Sequence, residues 1–215
     1  MAVIVNFQNL IIKYEEETLP PITLEVKEGD VVGIESTRDL FDRALADFFL
    51  CFSNQFDGKA ELFNIDLKDL SDNAVFEIRK CISLMSPSLP LISNLKLIEN
   101  VYLHRFFYSN EKEADIFKKA YRLLEYLGIE KKFNLNPAFL TNFEKKLGLF
   151  ARALLGNYKL FYFSRLFSDT DQAKRSFLME KILEQKRIND KITIIIVERS
   201  LDELTELNFN KRIRI

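Results

Sequence analysis

Glycine is scarce in this chain. The sequence contains 6 glycines in 215 residues, whereas average usage of about 7% would give roughly 15. The shortage is clear in GDVVGIESTRDLFDRAL, residues 29–45, where a strand, a tight turn and a helix are predicted. In α/β proteins a glycine-rich loop at such a junction often holds a phosphate. Here the turn has no glycine, and two aspartates lie in the first turn of the helix.

The chain also has almost no net charge, only one histidine and no metal-ligand pattern. The net charge of −1 argues against a nucleic-acid partner, because such proteins usually carry a basic excess. Cys51 and Cys81 lie inside predicted elements without metal-ligand spacing, so buried thiols in a reducing compartment are predicted. His104 is the only histidine and has no Cys or acidic partner at ligand spacing. No metal site is predicted.

Long apolar runs are absent as well. The longest, such as ITIIIV, are too short to span a bilayer. The amino-terminal stretch alternates apolar and polar residues, and so does not resemble a signal peptide. We therefore expect a cytoplasmic chain that reaches the inner face of a membrane only through a partner.

The pattern that is present predicts an α/β domain. Hydrophobic residues make up 47% of the chain and include 20 Phe, enough for a substantial core. Alternating strands dominate the first third, and amphipathic helices fill the middle. In the last third the apolar strands KLFYF and KITIIIV alternate with helices. Such continuous runs are typical of a parallel sheet covered on both faces.

Three segments, taken in order, resemble one family. They are FDGKAELFNIDL, IRKCISLMSPSLPLISNLKLIENVYL and FARALLGNYKLFYFSRLFSDTD. Their order and spacing are similar to those of the ATPase subunit of ABC transporters, along the whole chain. The resemblance implies a P-loop NTPase-like core with a mixed or parallel sheet over 1–87 and 149–215. It also implies an antiparallel β portion and an inserted helical subdomain over 88–148.

Placing the family's motifs on the chain without gaps puts unusual residues at the nucleotide site. Walker A falls on STRDLFDR, residues 36–43, where Phe41 replaces a glycine and Asp42 replaces the lysine. In the family, those glycines let backbone N–H groups wrap the phosphates and the lysine neutralises them. The former nucleotide-site positions are Tyr14, Ser36, Phe41, Asp42, Arg43, Pro87, Ser164, Arg165 and Arg199.

The resemblance assigns each of these positions a role. Arg43 stands at the Mg-binding hydroxyl, and Pro87 at the Q-loop glutamine. Ser164 stands at the Walker B aspartate, Arg165 at the catalytic glutamate and Arg199 at the switch histidine. The signature motif falls on residues 140–144, which are Leu140, Thr141, Asn142, Phe143 and Glu144. The resemblance therefore implies a degenerate site without catalytic or cofactor-binding residues.

Simpler interpretations remain open for several residues. Tyr14 stands where the family stacks the adenine, but packing is the simpler role for an aromatic residue on an alternating strand. Asp171 is either a retained dimer contact or a surface residue. Ser36, with Asp39 three residues later, fits an ordinary helix cap without a ligand.

The first of three functional hypotheses is a catalytically inactive ABC-type subunit that does not bind ATP or Mg well. It would dock on an integral membrane subunit and pair with a paralogue or a second copy. The lipoprotein-export, cell-division and lipid-transport systems are the most similar. An apolar set of five residues is predicted to line the groove that receives the membrane subunit: Pro87, Leu89, Leu91, Ile92 and Leu95.

The other hypotheses keep a ligand at the site. One is a residual ATP-binding or ATPase subunit of an ABC transporter. The other is a binder of a different anion, using the arginines at 38, 43, 165 and 199. Because the charges at the lysine and glutamate positions are exchanged, we also predict that Asp42 or Asp39 pairs with Arg165 or Arg199.

Overall fold

The computed structural model describes residues 1–68 and 70–215 of the chain. The chain divides into two compact units. Residues 1–86 together with 158–215 form the core unit, and residues 87–157 form the helical unit. None of the described helices combines the length and the apolar character that crossing a membrane requires.

An antiparallel sheet forms the first part of the core unit. Its strands are β1 (Val3–Tyr14), β2 (Glu17–Thr18), β3 (Ile22–Lys27), β5 (Phe56–Leu62) and β6 (Ile65–Asp66). Strand β1 pairs with β2, β3 and β5, and β6 pairs with β5. Buried and exposed residues alternate along β3, as its apolar-polar pattern predicts. Gly58 has φ +88°, and a Cβ there would lie 2.2 Å from the Asn9 carbonyl oxygen, so a side chain is excluded.

A parallel sheet forms the second part of the core unit. Its strands are β4 (Val31–Glu35), β7 (Ile82–Met85), β8 (Leu160–Ser164), β9 (Thr193–Glu198) and β10 (Lys211–Arg214). Their order across the sheet is β10-β4-β9-β8-β7, and every neighbouring pair is parallel. Strands β8 and β9 are buried along their whole length. The predicted α/β class, with a parallel sheet and an antiparallel β portion, is confirmed.

Helix α1 (Asp39–Phe49) packs between these sheets. The Phe49 ring lies 5.7 Å from the ring of Phe7 on β1 and 5.0 Å from that of Tyr162 on β8, between centroids. Phe41 and Phe48 are buried in the same cluster. Many of the phenylalanines therefore form the core. The other helices of this unit are α2 (Asp72–Cys81) and α6 (Gln172–Ile188).

The helical unit contains α3 (Leu97–Tyr108), α4 (Glu113–Tyr126) and α5 (Asn142–Leu154), with short 3-10 turns at Glu130–Lys132 and Pro137–Phe139. The buried Asn100 side chain fixes the loop before α3. Its amide nitrogen donates to the carbonyl oxygens of Ile92 and Leu95, at 3.1 Å each. The unit extends beyond the predicted stretch 88–148 because α5 continues to Leu154.

Candidate functional site

The candidate site lies at the carboxyl edge of the parallel sheet. Strands β4, β8 and β9 run in the same direction, and Ile34 and Ser164 both pair with Val197 in register. The segments that follow these strands therefore leave the sheet at one edge, where ligands of α/β proteins usually bind. Helix α1 begins there at Asp39, and Arg165 and Arg199 each follow the end of their strand.

A buried ion pair joins α1 to the end of β8. The Arg165 Nη2 atom lies 2.5 Å from Asp42 Oδ2, and the two side chains are only 7% and 5% exposed. The Arg165 backbone N–H donates to the Val197 carbonyl at 2.9 Å, which ties the residue to β9. Arg165 has φ +57°, a region that residues other than glycine rarely adopt.

A second, exposed layer of charge covers this pair. Asp39 Oδ1 lies 3.5 Å from Arg165 Nη2 and 3.3 Å from Arg199 Nη2, and the Asp39 side chain is 72% exposed. The predicted pairing of these aspartates with these arginines is confirmed. Because the contacts of Asp39 are exposed to solvent, the buried pair of Asp42 and Arg165 provides most of the electrostatic interaction.

Burial raises the pKa of Asp42 to about 6, although the adjacent Arg165 guanidinium favours the charged carboxylate. Asp39 adds to the rise through like-charge repulsion. The phenol of Tyr162, which is fully buried on β8, also has a pKa raised well above its usual value, mainly by burial. With a pKa of about 6, Asp42 is mostly ionised near neutral pH but takes up a proton in mild acid.

The loop before α1 differs from its predicted form. Arg38 is the N-cap residue of α1, without a side-chain cap hydrogen bond, so the prediction that Ser36 caps the helix is wrong. Ser36 is buried instead. Its backbone N–H donates to the Glu198 carbonyl at 3.0 Å, and its Oγ accepts from the Arg38 N–H at 3.2 Å. Phe41, at a glycine position of the motif, is fully buried.

The remaining arginines pair with glutamates of the hairpin formed by β1 and β2. Arg38 Nη2 lies 2.7 Å from Glu17 Oε2, and Arg43 Nη1 lies 3.7 Å from Glu15 Oε1. All of these side chains are about half exposed. Of the four arginines in the anion hypothesis, the structure joins Arg165 and Arg199 through a shared aspartate, and holds the other two against other carboxylates.

Tyr14 and Asp171 both have structural contacts. The Tyr14 hydroxyl donates to Asp47 Oδ2 at 2.6 Å, and its half-buried ring packs against the core. Burial and this hydrogen bond raise the pKa of Tyr14 to about 12. Asp171 is the N-cap of α6 and accepts from the Lys174 N–H at 2.9 Å. The packing of Tyr14 agrees with the simpler interpretation of that residue. Adenine stacking by Tyr14 and dimer contact by Asp171 stay alternative hypotheses.

Glu198 is a site residue that sequence reasoning missed. It is only 3% exposed. Its carboxylate accepts from the Phe167 N–H at 2.7 Å and from the Ser168 hydroxyl at 2.8 Å, so it orders the loop after β8. An acidic residue at the end of the apolar run TIIIV was the signal that could have revealed it, because a buried carboxylate needs partners.

The residues predicted at the signature position lie at the start of α5 in the helical unit. Thr141 is the N-cap, and its Oγ accepts from the Glu144 N–H at 3.2 Å. Glu144 completes a capping box by accepting from the Thr141 N–H at 2.8 Å. Leu140 is buried, and Asn142 and Phe143 form the first residues of the helix.

The predicted partner-binding residues differ in exposure. Pro87 and Ile92 are exposed, whereas Leu89 and Leu95 are half-buried. Leu91 is buried, and its Cδ1 lies 3.4 Å from where a Cβ on Gly148 would stand. Leu91 therefore packs within the helical unit, and the other four residues remain the predicted contact set.

Comparison with known proteins supports the resemblance seen in the sequence. No family model matches the chain. The methionine import ATP-binding protein MetN of Clostridium tetani is 23% identical over 193 residues, which are 90% of this chain and 60% of that protein. MetN 3 of Pectobacterium atrosepticum is 26% identical over 186 residues, which are 86% of this chain and 53% of that protein. The chain thus spans little more than half the length of these relatives.

Solved structures confirm the fold. The ATP-binding cassette MJ0796, in a dimeric post-hydrolysis state bound to ADP and Pi, has a TM-score of 0.79 at 22% identity, covering 93% of this chain and 89% of that one. The cbiO1 protein of Clostridium perfringens, part of the ABC transporter complex cbiONQ, has a TM-score of 0.77 at 21% identity, covering 96% and 82%. The chain has the fold of an ABC transporter ATPase domain.

These relatives correct three expectations. The predictions of an inactive subunit, of a protein that is not an enzyme, and of one that does not bind ATP are wrong, because the relatives are named ATP-binding proteins and a neighbour holds ADP and Pi. The error lay in judging the site motif by motif. Likewise, the relatives named here are methionine import proteins, not lipoprotein-export, cell-division or lipid-transport proteins.

Proposed function

We propose that this chain is a residual ATP-binding or ATPase subunit of an ABC transporter, the second of the hypotheses above. The observation that carries the proposal is the meeting of the α1 amino terminus with Arg165 and Arg199 at the carboxyl edge of the parallel sheet. A helix amino terminus and guanidinium groups both favour a polyphosphate at that edge. The relatives, which are named ATP-binding proteins, support the same function.

We also propose that the site differs from the family's motif in the residues that meet the phosphates. Its cations are arginines, whereas the family motif uses a lysine in the loop. Arg165 and Arg199 have the charge to receive a polyphosphate, and Tyr14 would stack the adenine if the resemblance to the family holds at that position. Bound ATP would supply the polyphosphate anion and the free energy of its hydrolysis. The chain's own residues bind and orient that anion, with Glu198 holding the loop that carries Arg165.

The partners follow from the same proposal. The chain would dock on an integral membrane subunit at the cytoplasmic face of the membrane, and pair with a second copy or a paralogue. The helical unit offers the contact set Pro87, Leu89, Ile92 and Leu95, because these apolar side chains are exposed or half-buried.

Titration calorimetry tests nucleotide binding directly. Mg-ATP should bind the purified chain saturably and raise its melting temperature, because a ligand at about 100 times its Kd stabilises by about 2.7 kcal/mol. Adenosine, which lacks phosphates, should bind much more weakly. Absence of saturable binding at millimolar Mg-ATP would refute the proposal. Saturable binding of inorganic triphosphate without ATP binding would favour the anion hypothesis instead.

Co-expression with a membrane subunit encoded by a neighbouring gene tests the partner. Ile92→Asp places a charge in the exposed contact set and should abolish co-purification while leaving ATP binding unchanged. Asn94→Asp is the matched control, since Asn94 is also exposed in the same loop. Equal retention of both variants on the membrane subunit would exclude this contact set.

A further inference from the structure

We infer that Asp42 competes with the nucleotide phosphates for Arg165, so that their buried ion pair must open before Arg165 contacts a phosphate. This inference rests on the proposed function, since it concerns the same site. It assigns Arg165 as the cation that receives the phosphates and Asp42 as the residue that limits its availability.

Asp42 places its negative charge where a bound phosphate would place one. Its carboxylate lies in the first turn of α1, where the helix dipole favours negative charge. It also forms an ion pair with Arg165, in which Oδ2 lies 2.5 Å from Nη2. A phosphate at this edge would use both the helix terminus and the guanidinium. The carboxylate and the phosphate therefore compete for the Arg165 guanidinium.

The inner pair, more than the outer contacts, controls this competition. Asp39 and Arg199 are 72% and 64% exposed, so their contact can rearrange in water at little cost. The side chains of Asp42 and Arg165 are only 5% and 7% exposed. Separating buried partners costs much more, because each charge loses its compensation before it gains another.

The backbone limits how Arg165 can respond. Its N–H is bonded to Val197, and the following loop is held by Glu198 through the N–H of Phe167. The Arg165 main chain therefore stays at the end of β8 while its side chain changes partner. Asp42 is fixed in turn by α1, which is buried between the sheets. Opening of the pair is thus a side-chain event.

The two possible roles of Asp42 predict different effects of Asp42→Asn on the affinity for ATP. If Asp42 only supports the fold, Asp42→Asn leaves ATP binding unchanged or weakens it. If Asp42 competes, the same variant frees Arg165 and strengthens binding. Arg165→Gln removes the receiving cation and should weaken the binding of ATP but not of adenosine.

Calorimetric titration of Mg-ATP into the full chain and its variants tests the inference. We expect Asp42→Asn to lower the Kd at least about tenfold and Arg165→Gln to raise it at least about tenfold. Asp72→Asn is the matched control, because Asp72 lies in the first turn of α2 and is exposed. Its Kd should stay within about twofold of the unmodified chain. Far-UV circular dichroism and melting temperature verify that each variant is folded.

The outcomes separate this inference from the proposed function. If the unmodified chain binds ATP and Asp42→Asn does not bind it more tightly, the inference is overturned and the proposed function stands. If neither binds, the proposed function fails and the inference fails with it. Binding by Asp42→Asn alone supports the competition and overturns the function for the native chain. If Asp42→Asn does not fold, an unchanged ATP affinity in Arg165→Gln overturns the inference.

Discussion

Removing one member of the buried Asp42–Arg165 pair should strongly destabilise the core unit. Breaking such a pair leaves an uncompensated charge and typically costs about 3–5 kcal/mol, a large share of a total stability of about 5–15 kcal/mol. We expect Asp42→Ala to reach the lower part of this range. The remaining guanidinium is 93% buried as a side chain and cannot lose its proton, and it keeps only the exposed Asp39 carboxylate at 3.5 Å.

Arg165→Ala should cost less than Asp42→Ala. The carboxylate left behind already has a pKa of about 6, and without Arg165 that pKa rises further. Asp42 can therefore bind a proton and become neutral, which limits the loss to about 1–3 kcal/mol near neutral pH. The loss of stability in Arg165→Ala should be smaller still at about pH 5, because protonating the Asp42 carboxylate there costs little or no free energy.

The double variant should be more stable than the sum of the single effects predicts. We expect a coupling energy of about 1–3 kcal/mol, since the two groups share one contact. Urea unfolding followed by far-UV circular dichroism measures it, because the chain has no Trp. The exposed pair Arg38–Glu17, at 2.7 Å, is the control and should couple by less than about 1 kcal/mol. Additivity within about 0.5 kcal/mol for the buried pair would refute the reasoning.

Three further predictions follow from single contacts. Between about pH 4 and 6 the folded chain retains a proton on Asp42 that the unfolded chain releases. The contribution of Asp42 to the free energy of unfolding therefore falls as pH rises, by at most about 3 kcal/mol. Asp42→Asn should remove that contribution from the urea-unfolding profile. Tyr14→Phe should lose about 1 kcal/mol, since only the bond to Asp47 is removed. The phenols of Tyr14 and Tyr102 both ionise near pH 12, so an ultraviolet titration should lose one of these two phenols in the variant. Thr141→Ala should cost about 1 kcal/mol in the same urea assay by removing the cap of α5.

Each of these predictions has its own control. Asp72→Asn should leave the pH profile unchanged, and an equal change in both Asn variants would contradict the Asp42 assignment. Tyr14→Phe keeps a ring for adenine stacking whereas Tyr14→Ala does not, so equal ATP affinities in both would exclude stacking. Thr141→Ser retains the capping hydroxyl and should recover most of the stability lost in Thr141→Ala.

The sequence by itself determined the class of the fold. The alternation of ITLEV and the continuous apolar runs at β8 and β9 have the periods of a half-buried strand and of fully buried strands. Helix α1 was likewise visible from its apolar spacing. These elements could be predicted because their periodicity depends only on neighbouring residues.

The prediction that Asp42 pairs with Arg165 came from the resemblance to the family. The resemblance indicated that two residues far apart in the sequence lie close together in the fold, which periodicity cannot indicate. The same motif-by-motif placement led to the wrong prediction of an inactive subunit. It treated changed side chains as loss of function, whereas the relatives of the chain are named ATP-binding proteins.

Only the tertiary structure decided which residues contact each other and which are buried. In the folded chain Leu91 is buried inside the helical unit, and the Ser36 N–H donates to the Glu198 carbonyl. The Glu198 carboxylate accepts from the Phe167 N–H and so holds the loop after β8. The tertiary structure also ranked the two acidic residues of α1 by burying Asp42 and leaving Asp39 in water. Because burial sets the strength and the pKa of a charge, and depends on segments far apart in the chain, the chemistry of this site is a property of the folded molecule.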